Sequence, residues 1–198
     1  MPADSFVLGP DCGRLTVHVF REGVMSALGH DLVLQASTWD GVARIDLASP
    51  EQASVEVTVP VRSLVVKEAQ GGLRKLTAED EANIAQRIAD TLGAAEHPDL
   101  KFRSTAVGPM DPVDVPESGT GTLSGMLSVN GREEPVSAEF AFLTQPGMLR
   151  VTGRTEVVQT RWGITPFRGL RFGLTVRDSV EVHFDVLLQV PHSGGGDA

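Results

Sequence analysis

Five histidines and a single cysteine are the residues from which acid–base, nucleophilic or metal chemistry would start in this chain. Imidazole titrates near neutrality, and both side chains ligate metals. None of the histidines stands at metal-ligand spacing from another His, a Cys or a carboxylate. Cys12 has no partner for an internal disulfide, which suits a reducing compartment. His18 and His183 fall on the polar phase of alternating segments and are expected outside, His97 precedes Pro98, and His192 belongs to the Gly-rich end. His30 differs, because Ser26-Ala27-Leu28-Gly29-His30-Asp31-Leu32 brings it to the point where a loop enters a strand. Neighbours on a strand face opposite ways, so His30 and Asp31 serve one site only if the backbone bulges. Three readings stay open for His30: an imidazole closing a local hydrogen-bond network at a strand end, a polar anchor for a ligand, or the centre of a metal or catalytic site. Gly-x-Ser-x-Gly, the phosphate loop of nucleotide-binding proteins and the dinucleotide fingerprint are all missing from the sequence. The expectation is a protein without catalytic residues, metal or cofactor.

Charge gives a second set of candidates. The 198 residues carry 17 Lys and Arg against 26 Asp and Glu, a net charge of -9, and a pI near 5.0 argues against a general nucleic-acid binder. Against that background, Arg161, Arg168, Arg171 and Arg177 lie in a stretch with no acid between Glu156 and Asp178. Such an island is either a solvated rim or a surface facing an anion. The opening Met1-Pro2-Ala3-Asp4-Ser5 has an acid where a signal peptide carries basic residues, so a cytoplasmic location is expected. The longest uncharged stretch, Ser118 to Gly131, is mostly Gly, Ser and Thr and falls short of the roughly 20 apolar residues that cross a bilayer.

The elements that must position these residues are strands. Strict alternation sets Val55, Val57, Val59 and Val61 against Ser54, Glu56, Thr58 and Pro60, and the same rhythm recurs along the chain. It covers Leu15–Phe20, Leu32–Ser37, Ala43–Leu47, Leu100–Arg103, Leu123–Val129, Val136–Phe142, Leu149–Thr152, Leu170–Val176 and Val180–Gln189, about ten strands in all. Half-buried antiparallel strands read this way, so the chain is all-β. So many strands stack as a sandwich or close as a barrel, since an open sheet leaves two unpaired edges. Thr120-Gly121-Thr122 and Ser124-Gly125 fall inside one strand, where the glycines read as bulge or close-packing positions. One helix interrupts the rhythm, with a capping box at Thr77 and Asp80, an apolar stripe of Ile84, Ala85, Ile88 and Leu92, and a stop at Gly93. That stripe must lie on the barrel wall or across its open end. Residues 1–191 are expected to form one domain and 192–198 a flexible tail, with a mobile hairpin loop over Pro109–Gly119. Phe102, Phe140, Phe142, Phe172 and Phe184 share the inward phase of the Val and Leu residues. An interior lined this way either packs solid or holds an apolar molecule.

Several segments, in order, resemble the YceI-like domain family. They are Leu15-Thr16-Val17, Gly29-His30-Asp31 and the helix Leu76 to Leu92. His97-Pro98-Asp99-Leu100-Lys101-Phe102-Arg103-Ser104 is similar to the family's YP-x-I-x-F-x-S pattern. Gly125-Met126-Leu127-Ser128-Val129-Asn130-Gly131 with Pro135-Val136 is similar to its G-x-L-x-I-x-G and P-V hairpin, and Arg161-Trp162-Gly163-Ile164 to its R-x-x-F-G turn. The resemblance covers about residues 8 to 191, with Trp162 standing where Phe is usual. It implies an extended, lipocalin-like antiparallel barrel, often dimeric, whose interior binds a polyisoprenoid or another long apolar molecule. With the one amphipathic helix read above, the expectation is such a barrel binding its ligand without turnover. On that reading Val17, Val19, Phe102, Leu127, Phe140, Phe142, Val151, Phe172 and Phe184 line the interior. Trp162 and Phe167 sit near an end, His30 anchors a polar group, and Arg161, Arg168 and Arg171 face a head group. The rival readings are a barrel whose core is filled and a metal or enzyme site centred on His30 and Asp31.

Overall fold

The computed structural model describes residues 4–46, 49–108, 117–169 and 173–190. Its strands are β1 (Asp4–Leu8), β2 (Gly13–Val19), β3 (Arg21–Glu22), β4 (His30–Ala36), β5 (Asp40–Ile45), β6 (Ser54–Pro60) and β7 (Leu64–Gly71). After helix α1 (Ala78–Thr91) come β8 (Asp99–Val107), β9 (Ser118–Val129), β10 (Arg132–Gln145), β11 (Met148–Val158), β12 (Thr175–Val176) and β13 (Ser179–Gln189). Eleven strands form one antiparallel sheet in the order β1-β5-β6-β8-β9-β10-β11-β13-β2-β4-β7, and β12 pairs with β3 beside it. The sheet curls until its two edge strands share a core, in which Leu8 of β1 and Leu64 of β7 pack with Trp39, Ala43 and Leu188. Among the described residues no ladder joins β1 to β7, so side chains close this barrel where hydrogen bonds do not.

The ten alternating segments anticipate most of this sheet and miss two of its strands. In β7 the run Leu64-Val65-Val66-Lys67-Glu68 does not alternate, because a bulge opposite Val33 and Leu34 leaves Lys67 unpaired and changes the phase of the residues after it. The other, β1, is a short edge strand whose Phe6-Val7-Leu8 reads as a continuous apolar run. Val61 departs from the phase of β6: it begins a 3-10 turn and is buried against Ala89 and Ala94. The segment 170–176 is a strand only at Thr175–Val176 among the described residues, and Leu170, Arg171 and Phe172 lie outside them. Most of the loop 109–119 and the tail 192–198 lie outside them as well, while Ser118 and Gly119 already belong to β9.

Helix α1 starts as its sequence dictates. Thr77 Oγ1 accepts the Asp80 backbone N–H, and Asp80 Oδ2 accepts the Thr77 N–H at 2.8 Å, which satisfies both ends of the capping box. Gly125 allows β8 and β9 to meet at a second bulge, between Ser104 and Ala106, since a Cβ there would stand 2.5 Å from the Phe102 ring.

On the outer face, His18 of β2 and His183 of β13 stack with ring centroids 4.2 Å apart, and His183 Nε2 lies 2.9 Å from Glu181 Oε2. Burial, then the neighbouring His183, holds the His18 pKa below its ordinary 6.5, against a smaller opposing pull from Glu181 and Glu68. The folded protein therefore takes up this proton less readily than the unfolded chain, and stability falls as pH drops below 6.5. Glu181, bound to His183, and Asp185, bound to Arg150, are shifted below the usual carboxylate range, so their stabilisation is present at neutral pH and lost as they protonate. Thermal melts from pH 8 to 4 should show a decline that begins near pH 6.5 and steepens where the carboxylates titrate. Replacing His18 with Gln should flatten the first part only, and an unchanged profile in that variant would contradict the assignment.

Candidate functional site

Inside the curled sheet is a cavity of about 870 Å³ whose wall is almost wholly apolar. The wall follows from the two-residue period: in β6, Val55, Val57 and Val59 face the cavity, and the residues between them do not. Val17 and Val19 of β2, Phe102 of β8, Leu127 of β9, Phe140 and Phe142 of β10, Val151 of β11 and Phe184 of β13 all line it, so the structure brings together the interior residues that alternation selects. Phe172 lies outside the described residues. The helix stripe crosses an open end, where Ile84, Ile88 and Leu92 complete the wall. A cavity of this size is within the roughly 300–1,000 Å³ of small-molecule sites, so the interior is not the filled core of the rival reading.

Trp162 lines the cavity from a 3-10 turn over Gln159–Trp162 that ends on Gly163 in the left-handed region, φ 71°. Its side chain is fully buried among Val129, Val157, Ile164 and Val180, and its indole N–H donates to the Leu127 carbonyl at 2.9 Å. The indole thus fixes the turn to β9. Phe167 follows at the rim, half exposed, with the Arg87 guanidinium of α1 5.3 Å from its ring centroid.

At the mouth, Gly29-His30-Asp31 is a hub of polar contacts. His30 lines the cavity, and its Nε2–H donates to the Arg74 carbonyl at 2.8 Å. Asp31 turns the other way, as adjacent strand residues must: its Oδ1 accepts the Arg21 backbone N–H at 2.8 Å and lies 3.7 Å from Arg21 Nε. Arg21 Nη1 also donates to the Gly29 carbonyl. Two left-handed glycines seat these side chains, since a Cβ on Gly71 would strike the Arg21 guanidinium and one on Gly72 the His30 ring. Arg74 in turn binds Asp80 at 2.6 Å, and that hydrogen bond, followed by those from Thr77, holds the Asp80 carboxyl far below the usual range. The network ties β4, the end of β7 and the start of α1 into one rim.

The arginine island is divided by the fold. Arg161 reaches Glu134 of β10 at 3.3 Å and lies over the outer side of Trp162, 5.6 Å from the ring centroid, without lining the cavity. Arg168 is exposed and forms an isolated bridge with Thr175, also away from the wall. Arg171 lies outside the described residues. Among the cavity residues that escape a reading of the sequence are Arg21, Arg87 and Trp39. Arg87 stands three residues after Ile84 on the stripe, a signal that its charge masks. Trp39 sits in the turn Ser37-Thr38-Trp39-Asp40, where polar neighbours hide a buried indole whose Nε1 has no partner among the described residues. Among those residues no group of three or more His, Cys, Asp or Glu is placed to hold a metal ion, and no helix is long and apolar enough to cross a membrane.

Solved structures with this architecture include BcnA of Burkholderia cenocepacia, at a TM-score of 0.64 and 15% identity over 89% of this chain and 96% of that one. A YceI protein of Campylobacter jejuni superposes at a TM-score of 0.50 and 15% identity over 78% of this chain and 82% of that one. These likenesses establish a shared fold. No curated protein matches the chain in sequence. The YceI-like domain matches residues 17–188, from the middle of β2 to the penultimate residue of β13. With nearly the whole sheet inside that match, the chain belongs to the YceI-like domain family.

Proposed function

We propose that the protein holds a long apolar ligand, a polyisoprenoid or a fatty-acyl chain, inside the barrel, and carries or stores it without chemical change. The observation that supports this most strongly is the 870 Å³ cavity with its apolar wall. Burying a chain contributes about 0.8 kcal/mol per methylene, so about ten methylenes supply roughly 8 kcal/mol, a micromolar affinity, with no polar contact. Val17, Val19, Phe102, Leu127, Phe140, Phe142, Val151 and Phe184 would contact the chain, with Trp162 and Phe167 flanking it near the helix end. His30, held by the Arg74 carbonyl, would present its ring edge to a polar terminus at the mouth. A homodimer in the cytosol completes the proposal, and sedimentation equilibrium tests the assembly. The test of function is extraction of the purified protein with organic solvent and mass spectrometry of the extract. A co-purifying species with a long hydrocarbon chain is the expected result; an empty protein that also takes up no acyl or prenyl compound would overturn the reading.

A further inference from the structure

We infer that the cavity takes an amphiphile whose terminal group is an oxygen anion, a carboxylate or a phosphate, and that Arg87 of α1 recognises this group at the open end. The inference rests on the proposed apolar site and names the class of ligand that fills it. Its first ground is the charge of the wall. No Asp or Glu lines the cavity among the described residues, although acids outnumber bases by 26 to 17 in the chain. The Lys and Arg residues along it are Arg21, Arg87 and Lys101. Lys101 is exposed on the outward phase of β8, between Leu100 and Phe102, and Arg21 is bound to Asp31 and to the Gly29 carbonyl. That leaves Arg87, whose guanidinium forms no ion pair or hydrogen bond among the described residues.

The helix sets its place. Arg87 stands between Ile84 and Ile88 in sequence, and Thr91 follows it at i+4, so guanidinium and hydroxyl share the face that crosses the opening. The Phe167 ring, also on the wall, lies with its centroid 5.3 Å from the guanidinium, an attraction that orders the side chain over the rim and leaves its N–H groups available. The Thr91 hydroxyl has no partner among the described residues either. The acids of the same helix are engaged or distant. Asp80 binds Arg74 and Thr77, and Asp90 accepts the Gln86 amide at 2.7 Å. Glu79 and Glu81 lie in the first turn; at 1.5 Å of rise per residue, Glu81 is about 9 Å along the axis from Arg87, near the screening length of ordinary salt. None of these acids lines the cavity, nor does Glu22 or Asp31.

A guanidinium presents its donors in a planar fork that matches two oxygens of a carboxylate or phosphate, and such a charge-assisted contact is about twice as strong as a neutral hydrogen bond. A hydroxyl terminus lacks both the charge and the second oxygen. The apolar chain must enter first, because an anion set deep in this wall would be unpaired, so the charged end stays at the opening where Arg87 stands. Arg161 and Arg168, which the sequence puts forward for a head group, lie away from the wall. The cation that meets the opening comes from the helix instead.

The test compares three compounds with one hydrocarbon chain, dodecanoate, dodecyl phosphate and dodecanol, each displacing a fluorescent acyl probe at about pH 8, where both acids are ionised. The wild-type protein should bind the anions about tenfold more tightly than the alcohol, the size of one charge-assisted contact at a partly exposed site. A preference confined to dodecanoate assigns a carboxylate, and one confined to dodecyl phosphate assigns a phosphate. In Arg87→Gln the preference should disappear while dodecanol affinity and circular dichroism stay unchanged, since Gln is a good helix former and the residue is exposed. Arg87→Lys should retain a preference, and added salt should erode it in the wild type without weakening dodecanol. Equal affinity for all three compounds in the wild type, a preference that survives in Arg87→Gln, or equal weakening of all three in that variant would overturn the inference and leave the apolar site standing. Failure of all three to bind would overturn the apolar site and the inference with it.

Discussion

Replacing Trp162 with Ala should cost about 3–5 kcal/mol of stability, the range for removing a large aromatic from a packed core. The side chain has no exposed surface, and its N–H is spent on the Leu127 carbonyl, so the substitution removes both a filled volume and a bond between the closing turn and β9. At roughly 2–4 °C per kcal/mol for a chain of this size, the midpoint of thermal unfolding should fall by about 6–20 °C. Trp162→Phe, which restores the residue usual in the resembled turn, keeps most of the apolar surface and gives up chiefly the hydrogen bond, about 1 kcal/mol. Chemical denaturation of the three proteins checks the order. A Trp162→Ala loss below about 1 kcal/mol would show that the turn is not anchored by its indole.

The second large effect is on binding. Ala138, buried and on the cavity wall, should tolerate Phe with little loss of stability, because the added ring has empty space to enter. That ring would displace roughly four methylenes of a ligand, about 3 kcal/mol, and lower affinity about a hundredfold. Phe142→Arg should abolish binding too, but through a charge set into an apolar wall, at a cost of several kcal/mol to the fold. The pair separates occlusion from unfolding: a stable Ala138→Phe protein that binds as well as wild type would place the ligand elsewhere than the cavity.

Much of the wall was legible because one face of each strand is consistently apolar. Val55, Val57 and Val59 announce their direction by period alone, as do Phe140 and Phe142. Where the period breaks, so does the reading. Lys67 is an extra residue in a bulge, which hides β7, and Val61 leaves the strand for a turn that packs under α1. The mouth was the least legible part. A linear stretch shows Arg161 without a nearby acid, yet its partner is Glu134, 27 residues away on another strand. Likewise the contact of His30 is a carbonyl 44 residues distant, and the left-handed Gly71 and Gly72 that make room for the rim side chains mean nothing until β4 and β7 are paired. Alternation encodes which way a side chain faces; which charges meet depends on sheet order.

If the cavity is a site for an apolar chain, affinity must depend on chain length, and that dependence is the most direct measurement. Saturated fatty acids and the matching alcohols, titrated against a displaceable fluorescent acyl probe, should bind more tightly by about fourfold per added methylene, the equivalent of about 0.8 kcal/mol each. The gain should continue until the chain fills the 870 Å³ cavity and then level off, with the plateau reached at shorter lengths in Ala138→Phe. Affinity that does not change with chain length, or a plateau unmoved by narrowing the cavity, would contradict a site for an apolar chain in the barrel.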